Sequence, residues 1–144
     1  MDYDVSIVRK TRHMRVKVSG RPTFDELLSL IHLIGLDSEA WPRQMVLVDL
    51  RGVETHFTMP EQFRIGIEAA ASLSHMEKIA SLVPAERVTR VSEKAARRNG
   101  TNVRVFADER EAIDWLHEGL APARRAPVLV RALSRLRPGS GSRG

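Results

Sequence analysis

The run MVLVDL, residues 45–50, constrains this chain more than any other stretch. It is short, almost wholly apolar and rich in β-branched residues, the signature of a central strand covered on both faces. Residues 3–9 (YDVSIVR) and 13–19 (HMRVKVS) alternate apolar with polar instead, the period of half-buried strands, and KTR between them suits a hairpin turn. Gly20 and Pro22 end the second strand. Thr23 and Glu26 then have capping-box spacing and predict a helix to about Leu33 or Ile34.

A second helix is expected from about Pro60 to Leu73, followed by a strand in EKIASLV that ends at Pro84. A third helix over 88–98 stops at Asn99-Gly100, and NVRVFA (102–107) reads as the last core strand. Asp108 caps a final helix with acids in its first turn and Gly119 at its end. The order β-β-α-β-α-β-α-β-α, with right-handed crossovers, predicts an α/β fold. Its single sheet is mixed, mostly parallel, with an antiparallel edge from the opening hairpin.

Length and composition fit one ordinary domain: 144 residues, 42% apolar and 28% charged. No apolar run approaches the ~20 residues that span a bilayer. The opening MDYDVSIVRK has acids where a signal peptide places basic residues, so a cytoplasmic location is expected. Cysteine is absent, which excludes disulfides, thiolate catalysis and Cys-ligated zinc.

The net charge of +5 belongs to the end of the chain. Arg124, Arg125, Arg131, Arg135, Arg137 and Arg143 lie beyond Pro122, where there is no acid. Removing those six from the 23 Lys and Arg leaves 17, against 18 acids. The chain therefore divides into a nearly neutral domain, 1–120, and a basic tail, 121–144. A nucleic-acid partner is not expected, because the positive charge is not spread over a folded face. Within the tail, Leu129, Ala132, Leu133 and Leu136 recur at helical spacing. Such a short amphipathic helix needs a surface to dock on, and an anionic membrane would engage its leucines and arginines together.

Three stretches, MVLVDLRGV (45–53), HMEKIASLVP (75–84) and VRVFADEREAIDWL (103–116), resemble the STAS domain, in particular its stand-alone bacterial STAS/SEC14-like or SpoIIAA-like branch. The resemblance implies a SpoIIAA-like fold over roughly residues 3–118. It also implies a regulatory, non-enzymatic role in protein binding, with a protein partner or a second copy of the chain. Its SEC14 side implies the alternative, a carrier or sensor of a lipid-like apolar ligand in a helix-lined cavity. In the phosphorylated antagonists of this family, the strand matching MVLVDL leads to Asp-Ser-Ser-Gly, where a serine receives phosphate. A gapless comparison puts Phe57, Thr58, Met59 and Pro60 there, so one hydroxyl remains, on Thr58.

Read from the residues alone, Thr58 and Glu61 form a capping box, with Pro60 suited to the first turn. A phosphate at a helix N-terminus would also be favourable, so the regulatory role stays open beside the cap. Asp49 falls near the carboxyl end of a central strand, where open α/β sheets place ligands. With His56 and Thr58 it forms a candidate rim for a ligand or partner. The bland role for Asp49 is to accept hydrogen bonds from loop amides. His13, His32, His75 and His117 are not at metal-binding intervals, and no phosphate-binding glycine loop is present, so neither metal nor cofactor is expected. Leu30 and Leu33 widen the apolar stripe of the first helix, and Phe63, Ile65 and Ile67 that of the second. Deep burial, a dimer face, a dock for the tail or an apolar ligand groove would each explain this.

Overall fold

The computed structural model describes residues 2–120. The basic tail, with Arg124, Arg125, Arg131, Arg135 and Arg137, lies outside the described residues. Five strands form one sheet in the order β1-β2-β3-β4-β5: β1 (Tyr3–Arg9), β2 (Met14–Gly20), β3 (Met45–Val53), β4 (Lys78–Leu82) and β5 (Val103–Phe106). Among the described residues only the β1–β2 pair is antiparallel. The helices are α1 (Phe24–Ser38), α2 (Met59–Leu73), α3 (Val91–Arg98) and α4 (Glu109–His117). Element order and sheet type agree with the sequence expectation.

The period of two in β3 sorts the core into two layers. Val46 joins Val16, Val18, Ile79 and Val103 under Ile34 of α1, Leu73 of α2 and Ala96 of α3. Met45 and Leu47 face the other way, with Ala80 and Leu82, and pack against Ala112 and Leu116 of α4. Among the described residues, three helices thus cover one face of the sheet and one helix covers the other, so MVLVDL is buried from both sides. The α4 end is held by Lys78, whose ammonium donates to the Trp115 carbonyl at 2.7 Å, as suits a cation at a helix C-terminus.

Two boundaries differ from expectation. Helix α1 continues to Ser38 because Gly35 does not break it; Gly35 is where α1 meets α2, and a Cβ there would stand 2.4 Å from the Ser72 carbonyl oxygen. Ser38, fully buried, then ties the turn by donating to the Gly35 carbonyl and sharing a 2.8 Å hydrogen bond with His75. Helix α3 starts at Val91 and not at 88, because Ala85–Arg87 form a separate 3-10 turn and Arg90 takes a left-handed backbone, φ 64°. Among the described residues no helix is long and apolar enough to cross a membrane.

Candidate functional site

At the carboxyl ends of β3, β4 and β5, the three-helix face opens into a cavity of about 290 Å³. Its floor is apolar, from Leu27, Leu50, Ile65 and Val105, and its rim is polar, from His56, Arg87, Thr89 and Arg90. A second, almost wholly apolar space of about 110 Å³ lies deeper between α1, α2, α3 and the sheet. The two share Leu27, Leu50, Ile65, Ser81, Ser92 and Val105 as walls.

Local structure builds this rim. The loop after β3 is pinned to the β2–α1 connection where the Thr55 hydroxyl donates to the Pro22 carbonyl at 2.6 Å. Arg87 donates to the Val53 carbonyl and pairs with His56 Nε2 at 3.2 Å. Gln62 donates to the Phe57 carbonyl at 3.0 Å and accepts from the Thr89 hydroxyl. Arg90 reaches back to Glu93 at 2.8 Å and to the Val105 carbonyl at 3.2 Å. Its positive φ, uncommon for a non-glycine residue, is held by these contacts at the edge of the cavity.

The structure separates the three residues of the expected rim. His56 lines the cavity. Thr58 caps α2: its hydroxyl accepts from the Glu61 amide at 3.2 Å, while the Glu61 carboxylate accepts from the Thr58 amide at 2.8 Å. It is exposed and is not among the residues lining the cavity. Asp49 lies on the opposite face of the sheet, because Leu47, Asp49 and the α4 layer share a side while Val46, Val48 and Leu50 point to α1–α3. A register shift between β2 and β3 after Lys17 and Asp49 then turns Val53 back into the three-helix core.

Asp49 is buried among guanidinium groups and does not bind loop amides. Its carboxylate accepts from Arg15 at 2.7 Å, from the Arg51 side chain at 3.0 and 2.9 Å, and from the strand amide of Arg51 at 3.1 Å. Burial alone would raise its pKa; the Arg51 bonds and the charges of Arg51 and Arg15 reverse that and hold it below the ordinary range. Glu109, at the start of α4, completes the network with 2.9 Å bonds to both arginines.

Beside this network the structure brings together two histidines that the sequence keeps apart. His13 Nδ1 and His117 Nε2 are 3.1 Å apart, so one neutral ring donates to the other. Burial first, then the charges of His117, Lys10 and Arg15, lowers the His13 pKa to about 4, against a smaller upward pull from Glu109. Burial also lowers that of His117. Neither residue has a local signal, since they are 104 positions apart. Among the described residues no group of three or more His, Asp or Glu side chains could hold a metal ion. Thr58 is engaged by its own helix and His56 by Arg87, so neither forms a nucleophile–base pair with the other.

A family model described as SpoIIAA-like matches residues 13–117. This chain belongs to the SpoIIAA-like family. Among solved structures it is similar to an anti-sigma factor antagonist from Mycobacterium paratuberculosis, with a TM-score of 0.56, 13% identity, and coverage of 81% of this chain and 95% of that one. It is also similar to the anti-sigma factor antagonist SpoIIAA in its unphosphorylated form, with a TM-score of 0.53, 12% identity, and coverage of 82% and 100%. A third is an uncharacterised Shewanella loihica protein with a SpoIIAA-like fold, with a TM-score of 0.51, 17% identity, and coverage of 79% and 93%. At these identities the likeness is one of fold. No curated protein matches the chain.

Proposed function

We propose that this SpoIIAA-like chain is a non-enzymatic, cytoplasmic regulatory module that acts by binding another protein. The observation that carries this reading is the exposed apolar start of α2. Met59 and Phe63, one helical turn apart, are 61% and 47% exposed beside the loop that carries His56. Large side chains left in water at a helix start, next to a polar rim, are what a partner's contact surface needs. The solved antagonists with this fold support the choice of a protein partner.

The test is quantitative affinity capture with the natural chain and with Met59→Asp/Phe63→Asp, both checked for folding by circular dichroism. A specific partner should be enriched by the natural chain and reduced about tenfold or more by the variant. Equal capture of the same proteins by both would overturn the reading. Thr58 is the regulatory position within this face, because a phosphate there would put charge beside Met59 and Phe63 and weaken an apolar contact. Phosphoproteomics that finds Thr58 unmodified in every growth condition would remove that layer and leave the binding face standing.

A second reading, an apolar ligand carried between the helices, is favoured by the two adjoining cavities with a polar mouth and an apolar interior. Native mass spectrometry of freshly purified protein separates the two: a co-purifying lipid supports the carrier, and a clean protein mass counts against it.

A further inference from the structure

The two edges of the sheet are treated differently. At β5 the outward carbonyls are occupied: Arg97 donates to Val103 at 2.9 Å and Arg90 to Val105 at 3.2 Å. That edge is blunted by its own arginines. The β1 edge has no such cover among the described residues. Asp2 accepts from the Arg21 amide and the Lys10 amide donates to the His13 carbonyl, so the even-numbered residues of β1 bond inward to β2. The odd ones, Tyr3, Val5, Ile7 and Arg9, direct their N–H and C=O groups outward, and no hydrogen bond to those groups is found among the described residues. Ile7 and Val8 are 41% and 46% exposed on this strand.

We infer that β1 pairs with β1 of a second copy of this chain, antiparallel and centred on Ser6, joining the two sheets into one of ten strands. The strand is complementary to itself in that register. All four outward residues find partners, Tyr3 with Arg9 and Val5 with Ile7, each pair occurring twice about the two-fold axis. The same register sets Asp2 of each copy opposite Lys10 of the other, because the acids Asp2 and Asp4 lie at one end of the strand and the bases Arg9 and Lys10 at the other. A parallel arrangement would put acid against acid. Sliding the antiparallel register by two residues leaves an outward residue without a strand partner and breaks the Asp2–Lys10 match. The apolar pairs fall at the centre and the charges at the ends, as in an interface with a polar rim. This inference does not depend on the partner face at α2.

The test is the solution mass of the full chain by light scattering after size exclusion, from micromolar to about 100 micromolar, the range over which a modest interface associates. The natural chain should reach twice its 16.2 kDa mass. Ile7→Pro should be monomeric with an unchanged circular dichroism spectrum, because it removes an outward N–H and no β1–β2 bond. Ser6→Cys supplies the register and introduces a single cysteine. Opposed residues at a non-hydrogen-bonded position are about 4.5 Å apart at Cα, within disulfide reach. Ser6→Cys should therefore oxidise to a covalent dimer, whereas Val8→Cys, which faces Asp4 of the other copy, should not. A natural chain that stays at one-chain mass throughout, an Ile7→Pro variant that still dimerises, or equal cross-linking at positions 6 and 8 would each overturn the inference.

Discussion

Thr58 serves its own helix while standing beside two exposed apolar side chains, Met59 and Phe63. Its hydroxyl and the Glu61 carboxylate satisfy two helix amides that would otherwise lack partners. Thr58→Ala should therefore lower stability by about 1 kcal/mol, and Thr58→Asp by much less, in urea unfolding. Asp49 is engaged more deeply, since its loss leaves Arg15 and Arg51 facing each other with only Glu109 between them. Asp49→Ala should cost about 3 kcal/mol, read by the same method. His13 sets a pH dependence. With a folded pKa of about 4 against 6.5 unfolded, the unfolded chain takes up the proton first as pH falls. Stability from this group is full above about pH 7 and declines progressively between 6.5 and 4. Melting temperatures across that window should fall less steeply for His13→Gln than for the natural chain.

The helix layer depends on two places where there is no room for a side chain. Gly35 lets α1 approach α2, and Gly66 lets α2 approach α3, where a Cβ would stand 2.4 Å from the Ser92 carbonyl oxygen and 2.8 Å from the Ala95 Cβ. These contacts set the helix spacing over the two cavities, which lie between the same helices. Gly66→Ala must push α2 from α3 and should destabilise by about 1–3 kcal/mol, despite the better helix propensity of alanine. Chemical denaturation checks it. A stabilising outcome would mean that α2 and α3 move apart at no cost.

At the scale of the whole molecule, charge is divided between a nearly neutral domain and a basic tail with no acid beyond Pro122. If the tail acts on an anionic membrane, its arginines and leucine stripe supply the affinity and the domain does not. The full chain should co-sediment with phosphatidylserine vesicles, and a chain ending at Leu120 should not. Vesicle binding that survives truncation would assign the contact to the domain instead.

The sequence by itself determined the order of elements, the mostly parallel sheet and three of the helix caps. Those features rest on interactions between near neighbours: the period of two in β2, the buried run of β3, and capping pairs three residues apart at Thr23–Glu26 and Thr58–Glu61. Even there, the first helix runs past the expected end at Leu33 or Ile34, because Gly35 is where it packs against α2. Only the tertiary structure decided who meets whom across the sheet. The side that Asp49 faces follows from strand parity; its partner Arg15 is 34 positions away, and Glu109, which binds the same arginine, is 94 positions from Arg15. The His13–His117 bond and the left-handed Arg90 at the cavity rim likewise have no local signal. Thr58 was legible because a cap is a local device, whereas the cavity that His56 lines exists only once three helices have packed on one face.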